Sequence, residues 1–243
     1  MFRRFLTMLI FLTVLLSISS CNQSSNNSEL NNEYQSEKNI DIDWVNFIKL
    51  NGIQYVDTNF SVDNEKLGPK IDEVNFKLSG NISDTNYEIK DGDAAYLEKG
   101  TPIYSINGYN STFRIAVKDK DQVIVYQVFS NPNAKVGSDI ADIFDKVDFI
   151  RINNSENGEV IATITEEKTV KDITDMLLNS PVEISSDRQA EKLYLVAFYL
   201  KDGSEFKGAY SLENNQFTSV YMKFMLPPDF QIAIEEEIKL DSE

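Results

Sequence analysis

Beyond residue 40 the chain alternates short apolar runs with polar punctuation, the rhythm of strands. Trp44–Leu50 and Ile53–Asp57 flank Asn51-Gly52, which predicts a β-hairpin. A two-residue type I′ turn needs positive φ at both central positions, and Asn and Gly tolerate it best. Glu73–Leu78, Ile103–Ile106, Thr112–Val117 and Gln122–Phe129 read as further strands. Asp91-Gly92, Lys99-Gly100 and Asn107-Gly108 punctuate them as turns. No segment of this half carries helical spacing.

A polar connection opens at Asn131-Pro132-Asn133 and runs through Asp139–Asp145 into a second rhythm. Val147–Asn153 and Glu159–Thr165 read as a hairpin around Asn157-Gly158. Thr165 then suits a helix N-cap, with Glu166 and Glu167 in the first turn, where the helix dipole favours negative charge. Val170, Ile173, Met176, Leu177 and Leu178 recur at helical spacing until Ser180-Pro181 stops them. Leu193–Leu200 is a continuous apolar run, expected as a central strand covered on both faces. Asp202-Gly203 turns it into Phe206–Leu212, and Phe217–Phe224 follows as another strand. Pro228 introduces Phe230, Ile234 and Ile238, a terminal helix.

These elements predict a strand-rich α+β protein: a mainly antiparallel sheet in residues 39–130, a connection over 131–146, and an antiparallel sheet with two helices in 147–243. One echo crosses the halves. Val45-Asn-Phe-Ile-Lys-Leu-Asn51 matches Val147-Asp-Phe-Ile-Arg-Ile-Asn153 position by position in residue type. It reads as two strands of one recipe, or as a duplication if the surrounding strands also correspond.

The amino-terminal pattern is different. Arg3 and Arg4 precede an apolar run from Phe5 to Ile18, shorter than the ~20 residues of a spanning helix. Residues 1–20 therefore read as a secretory signal. The order Ile18-Ser19-Ser20-Cys21 resembles the lipobox of bacterial lipoproteins, with isoleucine where leucine is commonest. The resemblance implies cleavage between Ser20 and Cys21, diacylglycerol on the Cys21 sulfur, and a further acyl chain such as palmitate on the new amino terminus. Residues 22–38 are rich in Ser, Asn, Gln and Glu, too polar to offset their ordering entropy. They are expected to form a disordered tether spanning about 20–25 Å.

Composition narrows the chemistry. There is no histidine, and Cys21 is the single cysteine among 243 residues. Histidine-based triads, histidine-ligated zinc, intrachain disulfides and thiolate clusters are thereby excluded. Acidic residues number 39 against 23 basic, for a net charge of −16, and losing Arg3 and Arg4 with the signal makes it −18. Such a protein repels nucleic acid and anionic lipid, so its membrane attachment is expected through the acyl chains alone.

The catalytic and metal-binding motifs are weak. Asp91-Gly-Asp93 and Asp119-Lys-Asp121 carry oxygen ligands, and Asn153–Gly158 opens like an EF-hand loop. Its twelfth position is Ile164, however, where calcium needs a bidentate carboxylate, so a polar turn is expected. Ser204-Glu-Phe-Lys207 matches S-x-x-K without its partner motifs. Asp93, Glu98 and Asp202 lie on predicted turns and are expected to be solvated. No cofactor and no metal are implied.

The most distinctive stretch is Asp91-Gly-Asp-Ala-Ala-Tyr-Leu-Glu-Lys-Gly-Thr-Pro-Ile-Tyr104, followed by Asn107-Gly-Tyr109. It resembles an uncharacterised family of lipoproteins from Gram-positive, spore-forming bacteria, which has no known active site to transfer. Tyr96, Thr101, Tyr104 and Tyr109 form a candidate aromatic ligand loop, the alternative being core aromatics in a turn-rich strand pair. The functional expectation is a non-enzymatic binding or interaction module, lipid-anchored on the outer face of the cell membrane, with a protein or small-molecule partner in the envelope. The alternatives are an envelope hydrolase using paired carboxylates and a solute-binding lipoprotein. Replacement Cys21→Ser is expected to leave the signal uncut or release the protein to the soluble fraction. Membrane fractionation and intact mass test this, and unchanged processing with full membrane retention would refute lipidation.

Overall fold

Leu50 pairs directly with Ile53 across Asn51 and Gly52, whose φ angles of 52° and 78° are those the type I′ turn requires. The Gly52 N–H donates to Asp91 Oδ1 at 2.7 Å, pinning this hairpin to a distant loop. The computed structural model describes residues 42–120, 122–184 and 193–240. The expected signal sequence, Cys21 and the expected tether lie outside the described residues. No helix among the described residues is long and apolar enough to cross a membrane.

The first half supplies eight strands: β1 (Phe47–Leu50), β2 (Ile53–Val62), β3 (Leu67–Glu73), β4 (Phe76–Lys77), β5 (Asp93–Ala94), β6 (Pro102–Ile106), β7 (Arg114–Asp119) and β8 (Gln122–Ser130). They form one sheet in the order β3-β6-β7-β8-β2-β1-β5-β4, antiparallel except where β4 meets β5. The expected strand Glu73–Leu78 is instead split. Strand β3 ends at Glu73 and β4 begins at Phe76 beside a different neighbour, while the Val74 and Asn75 amides bond to Thr101 and Gly92 carbonyls.

The second half supplies β9 (Val147–Asn154), β10 (Val160–Ile164), α1 (Glu167–Asn179), β11 (Val182–Ile184), β12 (Leu193–Leu200), β13 (Glu205–Ser211), β14 (Gln216–Ser219), β15 (Met222–Met225) and α2 (Pro228–Leu240). Its sheet, β10-β9-β12-β13-β14-β15-β11, is wholly antiparallel. The fold class is α+β. The N-cap of α1 is Glu166 rather than Thr165: its carboxylate accepts both the Thr169 N–H and hydroxyl, placing negative charge at the helix start. Val170, Ile173, Leu177 and Leu178 are buried as the spacing predicts. In β12, Leu195 is 46% exposed, so the strand is central but not covered on both faces. An antiparallel sheet can pack helices on one face and leave the other wet, and an apolar run alone does not distinguish the two.

The segment expected as one strand, Phe217–Phe224, is two. Ser219 pairs with Met222 across Val220 and Tyr221, a turn with no glycine, asparagine or proline to announce it. Val220 takes φ 55°, costly for a β-branched side chain. The echoing strands have unlike surroundings: β1 lies between β2 and β5, whereas β9 lies between β12 and the edge strand β10. Two strands of one recipe is the reading this favours.

The described residues form one compact unit, and its main apolar core runs through both sheets, with two smaller clusters in the first half. Phe206 is its hub, with ring contacts to Phe113 of the first half at 6.0 Å and to Phe198, Phe217 and Phe224 of the second at 5.9–6.4 Å. The connection is packed rather than loose. Ile140, Ala141 and Ile143 are buried, and a Cβ on Gly137 would lie 2.2 Å from the Leu177 carbonyl oxygen. Relief of the left-handed strain by Val220→Gly, about 1–2 kcal/mol less about 0.5–1 for glycine's flexibility, is expected to stabilise the fold. Urea unfolding should show a gain of about 0.5–1 kcal/mol; a loss would mean the Val220 side chain supports the turn.

Candidate functional site

Arg114 opens β7 with its side chain 2% exposed, an expensive place for a charge unless every donor is met. Its Nε and one terminal nitrogen donate to Gln127 Oε1, directly opposite on β8, at 2.9 and 2.7 Å. The same terminal nitrogen also reaches the Glu205 carbonyl at 3.2 Å, and the other donates to Ser204 Oγ at 2.7 Å. Phe113 and Tyr109 stack on the guanidinium with centroids 4.6 and 4.9 Å away. Strand pairing within the first sheet thus places the arginine beside Gln127, and the second half supplies its remaining acceptors.

The β12–β13 turn completes the network. Asp202 Oδ1 accepts from the Ser204 N–H at 3.0 Å and the Ser204 hydroxyl at 2.5 Å, while Oδ2 accepts from the Tyr109 hydroxyl at 2.6 Å. Arg114 and Asp202 themselves stand 3.7 Å apart, so hydroxyls carry much of the contact. Burial raises the affinity of Asp202 for a proton, but the Ser204 and Tyr109 hydrogen bonds and the Arg114 charge outweigh it and hold the carboxyl below its ordinary range. Burial, reinforced by the bond to Asp202, pushes the Tyr109 phenol up. Burial also lowers Arg114, opposed by Tyr109 and Asp202, and the guanidinium stays charged.

Beside this network lies a cleft of about 510 Å³, within the size range of small-molecule sites. Phe60, Val62, Ile106 and Tyr109 supply its apolar walls from the first sheet. Lys146, Lys201 and Asp202 face them from the second half. The Lys146 ammonium donates to Asp142 at 2.6 Å and lies 5.4 Å from the Tyr109 ring centre. Asp142 also accepts the Asn110 N–H at 2.7 Å, a second tie between the halves. A smaller cavity of about 270 Å³ shares Asp145 and Lys201 with the cleft and reaches Val170 and Thr174 of α1.

Of the candidate loop residues, Tyr109 alone lines the cleft. Tyr96 donates to the Trp44 carbonyl at 2.6 Å, Thr101 closes a turn onto the Glu98 carbonyl at 2.6 Å, and Tyr104 sits on β6 opposite Lys70 and Ala116. Glu98 is solvated, paired to Lys77. Asp93 is not: it is 3% exposed, accepting from the Tyr87 hydroxyl and the Lys90 N–H within its own turn, whereas Asp202 stays exposed while its carboxylate is engaged by Ser204 and Tyr109. Ser204 is buried between Asp202 and Arg114, and Lys207 pairs with Glu205, so S-x-x-K forms no catalytic pair. The Asn153–Gly158 side chains satisfy their own turn, as Asn153 does by donating to the Gly158 carbonyl. Among the described residues no group of three or more Asp, Glu, His or Cys could hold a metal ion. Arg114, the buried charge beside the cleft, is what sequence reasoning passed over; its signal is a lone charge between Phe113 and the run Ile115-Ala116-Val117.

No protein-family model matches the chain, and no curated protein or solved structure matches it either.

The folded Asp202 carboxyl binds its proton less tightly than an unfolded one, so its stabilisation is complete above the ordinary value of 3.8 and drains away as pH falls below it. Asp202→Asn is therefore expected to be less stable than the parent near neutrality, with the gap closing as pH falls below 3.8 and through the lowered folded-state value. Arg114→Met should cost on the order of 3 kcal/mol, and the double variant less than the sum. Urea midpoints across pH check both, and strict additivity would show that the network is not one unit.

Proposed function

We propose that the chain is a lipid-anchored, extracytoplasmic binding module of the bacterial envelope, which holds a small ligand or a partner's side chains in the cleft between its two sheets. The single observation that carries the reading is that cleft: an apolar-walled cavity with charged groups at fixed positions, built on a rigid hydrogen-bonded seam. Preorganised walls bind without a large ordering cost. The lipobox and polar tether would stand this domain off the membrane by about two nanometres.

Catalysis by paired carboxylates has less support. A general acid at neutral pH needs a carboxyl whose proton affinity is raised. Among the described residues, Glu73, Glu166 and Asp202 have displaced acidity, each downwards. A solute-binding lipoprotein of the common kind has two α/β lobes, whereas both sheets here are mainly antiparallel. The expected outcome is that small-molecule extracts of the envelope shift the amide resonances of Gly108, Tyr109, Lys201 and Asp202 while peptidoglycan fragments are not turned over. Turnover abolished by Asp63→Asn or Asp145→Asn would overturn the reading, as would cleft resonances that no extract moves.

A further inference from the structure

We infer that the cleft takes a small amphipathic anion, a carboxylate or phosphate carried on an apolar body. This rests on the cleft being the binding site.

The charges of the cleft are not equally available. Asp202 is committed to Tyr109, Ser204 and Arg114. Asp145 stands 3.5 Å from the Lys171 ammonium. Lys146 is held by Asp142. What remains are Lys66, whose ammonium has no partner among the described residues, and Lys201, which donates only to the Asp145 carbonyl at 2.8 Å. Against them stands one uncommitted carboxylate, Asp63. The protein as a whole has 39 acidic and 23 basic residues, whereas the cleft lining carries three lysines against three aspartates, so the acidic excess is locally absent. With two of those aspartates and one lysine held by other partners, the uncommitted charges are two ammonium groups against one carboxylate.

The apolar walls set the rest of the ligand. Phe60 and Val62 at the end of β2 and Ile106 at the end of β6 line the space beside the lysines. The Tyr109 ring offers aromatic surface but its hydroxyl is already given to Asp202. A ligand therefore finds apolar contact on this side and ammonium donors at Lys66 and Lys201. A purely ionic solute would leave the apolar surface wet, and an amine would meet two like charges.

The test uses the full chain in phosphatidylcholine nanodiscs, with naphthyl probes of one body and different heads: 2-naphthylacetate, 1-naphthyl phosphate, the neutral 2-naphthylacetamide and naphthylmethylammonium. The two anions are expected to shift the Gly108, Tyr109 and Lys201 resonances at the lowest concentration, and added salt should weaken them. The Lys66→Gln/Lys201→Gln pair should reduce anion affinity about tenfold. Asp63→Asn should raise it, and Lys135→Gln, an exposed lysine that does not line the cleft, should leave it unchanged. Equal or tighter binding of the amide or the ammonium, or no effect of the lysine pair, would overturn the anion assignment while keeping the cleft as a site. Failure of all four probes to move those resonances would overturn both. Phosphatidylglycerol nanodiscs decide the source: cleft shifts with no probe added would assign the anion to a lipid headgroup, and an unshifted cleft would assign it to a soluble molecule.

Discussion

A buried guanidinium sets the terms on which the two sheets meet. Arg114 belongs to the first sheet, yet part of its hydrogen bonding comes from Ser204 and the Glu205 carbonyl of the second. A shift of one sheet past the other by a single residue would strand a charge in the core, where the penalty is several kcal/mol. Apolar contacts such as Phe113 on Phe206 tolerate sliding far better than directed hydrogen bonds do. The arginine thus specifies the interface more than it strengthens it, since an apolar replacement of the whole network could be as stable. The turn at Asp202, the tilt of Tyr109 and the cleft beside them follow from that registration.

Local chemistry made most of the elements legible in the sequence. The Asn51-Gly52 hairpin, the strand Leu193–Leu200 and the terminal helix from Pro228 are each specified by residues next to one another. The errors share a cause. Thr165 and Glu166 both suit a cap, and only the reach of a carboxylate to Thr169 decides between them. Val220-Tyr221 turns although neither residue favours it, because Phe217 and Phe224 on either side both belong in the Phe206 cluster and Tyr221 packs on Phe129. Tertiary packing overrides propensity at such places, and a single sequence does not display it.

The site was less legible for the same reason. Tyr109 and Asp202 are 93 positions apart, and Arg114 and Ser204 are 90 apart. Nothing in the intervening chain marks them as neighbours. Tyr96, Thr101, Tyr104 and Tyr109 are close in sequence, but a sheet disperses neighbours to opposite faces and successive turns. Asp202 on a glycine turn reads as a solvated residue, and nothing near it in sequence announces the Tyr109 hydroxyl that reaches it from 93 positions away.

The acidic excess and the cleft are connected through the same arginine. Lys99, Lys118 and Lys135 likewise form no ion pair among the described residues, and they stand exposed as Lys66 and Lys201 do. Lys66 and Lys201 differ in lining one cleft together, beside apolar walls. They stay uncommitted there only while nearby carboxylates are occupied. Asp202 would be the natural partner for Lys201, its immediate neighbour in sequence, if its oxygens were not held by Ser204 and Tyr109 and turned towards Arg114. The network that registers the two sheets therefore also occupies one of the cleft's carboxylates. Structural and electrostatic roles meet in one side chain.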